Sequence, residues 1–124
     1  MIKGVGTDLV EVERIRSAWE RSGERFARRI LVDSEFSRFV ELKSDVRYLA
    51  KALALKEAVV KSLGTGIAQG VGWHSIETGR DELGRPIALL SGAAHVRMQM
   101  LNASNVHVSL SDEKAYILAF AVLD

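Results

Sequence analysis

The 124 residues contain no cysteine and a single proline, and aromatic residues make up only 6%. Without cysteine there is no disulfide scaffold, no thiolate nucleophile and no Cys-ligated zinc or iron–sulfur site. A reducing, cytoplasmic setting is the expectation. With one proline and no Ser- or Gly-rich run, nothing reads as a linker or disordered tail. No apolar run approaches the roughly 20 residues of a membrane span, and Met1-Ile2-Lys3-Gly4 lacks a signal-peptide core, so no membrane association is expected. Charge of one sign is also missing: 17 Lys+Arg against 16 Asp+Glu leave a net +1. That balance argues against a nucleic-acid binder. What is present, 48% apolar and 27% charged residues, fits one globular domain spanning 1–124.

The hydrophobic pattern changes along the chain. Residues 2–12 are short, Gly-punctuated and β-branched, a strand leading into a turn. From Glu13 to about Arg29 the spacing is helical, broken near Ser22-Gly23 into two short helices. Asp33-Ser34 with Glu35 opens a brief helix carrying Phe36, Phe39 and Val40 at i, i+3, i+4 spacing. Asp45 opens the longest periodic segment, through Leu49, Leu53, Val60 and Leu63, closed by Gly64. Trp73 to Thr78 alternates as a strand, Asp81 to Pro86 is a turn, and 87–90 is a strand. Ser91 to Leu101 is helical, and 106–111 with 115–123 form a hairpin. Helices in the first half and strands in the second predict an α+β fold, with one long central helix packed on a largely antiparallel sheet.

Four features bear on chemistry. Glu57 shares a helical face with Ala50, Leu53, Ala54 and Lys61 on a helix that is apolar around much of its circumference. A carboxylate there is costly unless paired or metal-bound; the plainer alternative is a surface Glu57–Lys61 ion pair worth a few tenths of a kcal/mol. Asp8 lies near the end of a strand whose Gly4 and Gly6 admit a close neighbour, and is either a ligand or a turn cap. Lys61-Ser62-Leu63-Gly64-Thr65-Gly66 is either an ordinary helix end or a phosphate cradle, with Lys61 as cation and the glycine backbone as donors. The lysine precedes the glycines, the reverse of a P-loop, and Gly4-Val5-Gly6 lacks the third glycine of a dinucleotide fingerprint. Two carboxylates, a lysine and a Gly-rich bend suit Mg²⁺ bridging protein to a phosphate ester. His74, His95 and His107 lack ligand spacing, and Ser109 and Ser111 have no nearby His base in sequence. Finally, 14–29 carries six arginines against Glu20 and Glu24, either a solvated helix face or a docking patch for an acidic partner.

At these residues the chain resembles the holo-acyl-carrier-protein synthases, the small bacterial 4′-phosphopantetheinyl transferases. The matching segments run in order from Gly4-Val5-Gly6-Thr7-Asp8-Leu9-Val10-Glu11-Val12-Glu13-Arg14-Ile15 through Arg25-Phe26-Ala27-Arg28-Arg29-Ile30-Leu31. They continue with Leu49-Ala50-Lys51, Lys56-Glu57-Ala58, Lys61-Ser62-Leu63-Gly64-Thr65-Gly66-Ile67, Asp81-Glu82-Leu83-Gly84-Arg85-Pro86 and His107-Val108-Ser109-Leu110-Ser111-Asp112-Glu113. The resemblance implies transfer of phosphopantetheine from coenzyme A to a serine of apo acyl carrier protein, releasing adenosine 3′,5′-bisphosphate. It implies Asp8 and Glu57 as Mg²⁺ ligands and Lys61, beside Gly64, Thr65 and Gly66, at the coenzyme's pyrophosphate. Arg85, Pro86, Ser109 and Ser111 are implied near the nucleotide, and Arg14, Arg25 and Arg29 on the face that receives the carrier protein. A homotrimer with sites between subunits is implied as well. For the proton of the carrier serine, Glu57, directly or through water, is the first candidate base and Asp8 the second.

The chain departs from the family pattern at Ala52 and Leu53, where many members carry Arg-Phe. The missing arginine predicts a coenzyme contact weaker by roughly 1.5–3 kcal/mol. It also motivates an alternative function, a weakened homologue that binds carrier or coenzyme without efficient turnover.

Overall fold

The computed structural model describes all 124 residues, in the order β1 (Gly4–Glu11), α1 (Val12–Ser22), α2 (Glu24–Ile30), α3 (Asp33–Glu41), α4 (Val46–Ser62), β2 (Ile76–Arg80), β3 (Pro86–Leu90), α5 (Gly92–Met100), β4 (Val106–Asp112) and β5 (Tyr116–Leu123). The architecture is α+β, as the hydrophobic pattern predicts. The strands form two antiparallel sheets rather than one: β1-β5-β4, and a separate β2-β3 hairpin.

Local chemistry explains the boundaries. Gly23 at φ 55° breaks the first helical stretch, its N–H capping Trp19 O at 2.7 Å, and α2 begins at the next residue. The α3 start uses Glu35 in the first turn, whose carboxylate accepts the Val32 N–H at 2.8 Å. Asp45 caps α4 by accepting the Arg47 N–H at 2.9 Å. One expectation fails. Residues 73–75 are a single 3-10 turn, not the start of a strand, and β2 begins only at Ile76. The reason is tertiary: the Trp73 side chain is drawn to a partner on α4, and that bond overrides the local alternation.

Helix α4 is the spine of the core. Leu49, Ala50, Ala54, Ala58, Val59 and Val60 on it are wholly buried, and burying one leucine of this kind is worth about 1.5–3 kcal/mol. Its alanines let the inner faces of β1 and β5 come close. Across the helix, Lys56 and Glu35 form a fully buried ion pair at 2.6 Å. Lys56 also donates to Ile30 O at 2.6 Å, and Glu35 accepts from the Thr78 N–H and Oγ1 at 2.8 and 2.6 Å. Burial pushes the Lys56 pKa down, against the pull of the Glu35 charge. The network joins α4 to α3, to the end of α2 and to β2.

The outer face of the three-stranded sheet is not covered. Val5, Leu9, Leu118 and Phe120 are exposed there, and Leu9 stands opposite Leu118 in the β1–β5 register.

Candidate active site

Strand β1 lies against α4 with almost nothing between the two backbones. A Cβ on Gly4 would stand 1.9 Å from Ser62 O, and one on Gly6 would stand 2.0 Å from Ala58 O. No side chain fits at either position, so the glycines permit the contact. Side chains alternate along a strand, so Asp8 faces the same way as Gly4 and Gly6, towards α4. Its side chain is 17% exposed, and Lys61 in the last turn of α4 donates to Asp8 Oδ1 at 3.1 Å and to Thr7 O at 2.9 Å. Glu57, one helical turn before Lys61, is half-buried and accepts the Trp73 Nε1–H at 2.8 Å.

The plain i, i+4 pairing of Glu57 with Lys61 is therefore not what forms: each residue has a different partner. Asp8 Oδ2 and Glu57 Oε2 are left without any protein donor. Two carboxylates, each with one oxygen held and one free, match a divalent cation that takes one or two protein carboxylates and fills its other positions with water and phosphate. No cluster of three His, Cys, Asp or Glu side chains is present within the chain. The histidines lie elsewhere: His74 Nε2 donates to Arg28 O at 2.7 Å, and His107 is 3.5 Å from Asp124.

The bend after α4 differs in detail from an open donor surface. Gly64 and Gly66 adopt φ 78° and 59°, as their glycine identity allows. Their N–H groups are bonded to Lys61 O at 3.0 Å and Val60 O at 3.2 Å, closing the helix end. Thr65 N–H is the bend's remaining donor, while Thr65 Oγ1 donates to Gly66 O at 2.9 Å. Arg97 of α5 reaches across to donate to Leu63 O at 3.0 Å.

The residues expected near the nucleotide do not gather at this seam. A cavity of about 560 Å³ opens between α3, α4 and the β2-β3 hairpin, with Tyr48, Lys51, Ala52, Arg80, Pro86 and Leu110 on its walls. Of the expected coenzyme residues only Pro86 lines it. Arg85 points to solvent and is held by Asp81 at 3.0 Å. Ser109 and Ser111 are exposed on β4, facing away from Leu110 and lying opposite Phe120 and Leu118. Sequence reasoning missed Tyr48 and Arg80. The Tyr48 hydroxyl, half-buried, has its pKa pushed up to about 12 by desolvation and by the Glu35 charge. Beside the cavity, Asp112 takes Lys51 at 2.7 Å and Arg47, and the Lys51 hydrogen bond holds its carboxyl below the usual range. Arg47 also donates to Lys114 O at 3.0 Å, tying the first turn of α4 to the β4–β5 turn.

Of the arginines on α1 and α2, Arg14 stands 3.9 Å from Glu11, whereas Arg25 and Arg29 are exposed without an acidic partner. Arg28 is occupied by Glu24 at 2.8 Å and stacks over Phe36.

The family model of the 4′-phosphopantetheinyl transferase superfamily matches residues 4–121. The holo-[acyl-carrier-protein] synthase of Vibrio parahaemolyticus is 50% identical over 123 residues, covering 99% of this chain and 98% of that one. The crystal structure of the holo-[acyl-carrier-protein] synthase from Neisseria meningitidis superposes with a TM-score of 0.93 at 40% identity, over 100% of this chain and 99% of that one. That of the Helicobacter pylori enzyme, solved in complex with coenzyme A, superposes with a TM-score of 0.83 at 28% identity, over 97% of this chain and 99% of that one. A glycine-docked strand, a carboxylate–lysine seam and full-length similarity of this degree lead to one conclusion: the chain belongs to the 4′-phosphopantetheinyl transferase superfamily.

Proposed function

We propose that this protein is a holo-[acyl-carrier-protein] synthase, transferring 4′-phosphopantetheine from coenzyme A to a serine of apo acyl carrier protein. The observation that carries the reading is the β1–α4 seam, where Lys61 holds Asp8 at 3.1 Å and Glu57 lies one turn earlier on the same helix. In the reaction the serine oxygen bonds to the phosphorus that bears pantetheine. The diphosphate bridge breaks on the other side, and adenosine 3′,5′-bisphosphate leaves with the bridging oxygen. The serine proton passes to a base.

The free oxygens of Asp8 and Glu57 would hold Mg²⁺, which when bound offsets the charge of the diphosphate and favours its cleavage. Lys61 donates to a phosphate oxygen from the same seam, with Thr65 N–H beside it. Glu57, directly or through a water, is the first candidate for the serine proton and Asp8 the second. The nucleotide end of the coenzyme occupies the 560 Å³ cavity, where Lys51 and Arg80 supply positive charge on the wall that Ala52 leaves neutral. With Asp8, Glu57 and Lys61 all present, a homologue that binds without turnover is not favoured.

That cavity does not include Asp8, Glu57 or Lys61 in its lining. A site shared between copies removes the difficulty, the seam of one chain facing the cavity of the next. The exposed Val5, Leu9, Leu118 and Phe120 supply the apolar face for such self-association, and a homotrimer is the assembly we infer. Arg14, Arg25 and Arg29 form the docking face for the acidic carrier protein. The lack of cysteine supports a cytoplasmic setting, and no helix is long and apolar enough to cross a membrane.

The test is direct. Incubated with apo carrier protein, coenzyme A and Mg²⁺, the protein adds one phosphopantetheine to the carrier, read by mass spectrometry. Glu57→Ala and chelation of the metal each abolish the addition while the fold persists. A carrier left unmodified, beside a control transferase that modifies it, overturns the proposal.

A further inference from the structure

We propose that the Trp73 indole is a positioning residue for Glu57, fixing that carboxylate as a divalent-cation ligand; this rests on the metal-site reading above. Three observations carry it. The Nε1–H of Trp73 donates to Glu57 Oε1 at 2.8 Å, a bond between residues 16 apart in the chain. The backbone at 73–75 gives up the extended form its sequence favours and turns once, which delivers the ring to α4. Glu57 takes no other protein donor, although Lys61 lies one turn away on the same helix.

The chemical nature of the donor matters. A lysine holding Glu57 would cancel the negative charge that attracts a cation. The indole is neutral and can only donate. It fixes one oxygen, orients the carboxylate plane and leaves Oε2 free with its charge intact. Outer partners that orient a ligand in this way typically govern metal affinity by about 10–100-fold. Lys61 is meanwhile engaged by Asp8 and Thr7, so the indole is the group that sets the Glu57 rotamer.

Trp73→Phe keeps an aromatic side chain, smaller than the indole, and removes the donor. Calorimetric titration with Mn²⁺ as probe is expected to show affinity lower by about 10–100-fold than in the unaltered protein. The cation concentration for half-maximal transfer rises by the same factor, and kcat at saturating cation is unchanged. A second variant, Trp19→Phe, leaves Trp73 as the sole indole, and its emission changes on saturation with Mn²⁺. Equal Mn²⁺ affinity in the Trp73→Phe and unaltered proteins overturns this inference alone. A silent Trp73 in the Trp19→Phe protein, with Mn²⁺ bound by calorimetry, overturns it too. If the unaltered protein binds no Mn²⁺ and transfers without a divalent cation, the metal-site reading falls and takes this inference with it.

Discussion

Lys61 Nζ stands 3.1 Å from Asp8 Oδ1 and 2.9 Å from the Thr7 carbonyl, so one ammonium in the last turn of α4 neutralises a carboxylate on β1. The same ammonium is proposed to meet the coenzyme's phosphate, and a cation at Asp8 competes with it. Lys61→Met therefore has opposite effects on the two ligands. Affinity for coenzyme A falls by about 10–100-fold, the loss of one charge-assisted contact of roughly 1.5–3 kcal/mol. Affinity for Mn²⁺ without coenzyme rises, because Asp8 loses its competitor. Calorimetry with each ligand separately checks both signs.

The glycine seam predicts a steric effect. In Gly6→Ala the new Cβ would meet Ala58 O at 2.0 Å, so strand and helix must separate. Overpacking of this kind costs about 1–3 kcal/mol or more. Thermal melting should fall by several degrees, and transfer should weaken in the protein that remains folded, since Asp8 moves with the strand.

The buried pair predicts non-additivity. Lys56→Met leaves the Glu35 carboxylate in the core with only its bonds to Val32 and Thr78, at a cost of about 3–5 kcal/mol. Adding Glu35→Gln to that variant restores part of the loss. Denaturant unfolding of the two single variants and the double variant measures the coupling.

Acid sensitivity follows from Asp112. Its pKa is held below the usual carboxylate range, chiefly by the hydrogen bond from Lys51. A depressed carboxylate pKa contributes stability that is fully present above its unfolded value and disappears as pH falls through the folded value. The protein should thus lose stability as the pH drops below about 4. Asp112→Asn should show a shallower slope in that window and a lower stability at neutral pH, read from melts across the acid range.

Charge on the helical flank governs encounter. Reversing Arg14 and Arg25 to glutamate should slow association with the carrier protein, more at low salt than at high, while kcat at saturating carrier stays unchanged. Stopped-flow binding at two ionic strengths decides it.

Much of this molecule could be read before it was seen. The break at Gly23, the cap at Asp45 and the hairpin near the C-terminus are local signals, each written within a few residues, and the structure repeats them. Glu57 stands out because a carboxylate on a helix apolar around much of its circumference is costly without a partner. Its actual partner, Trp73, could not be read, since nothing local links an indole to a glutamate 16 residues earlier. The same holds for Lys56 and Glu35, 21 residues apart, which pair in the core. The division of the strands into two sheets was equally hidden, because alternation reports which face is buried and says nothing of which strands are neighbours.

The bare contact between β1 and α4 has a mechanical consequence. With only hydrogen atoms cushioning Gly4 and Gly6, the strand has no soft layer to absorb a push from outside. Thr7 and Leu9, the two neighbours of Asp8 in the chain, project from the opposite surface. Anything that presses on that surface is relayed, through one peptide unit on either side, to the carboxylate at the seam.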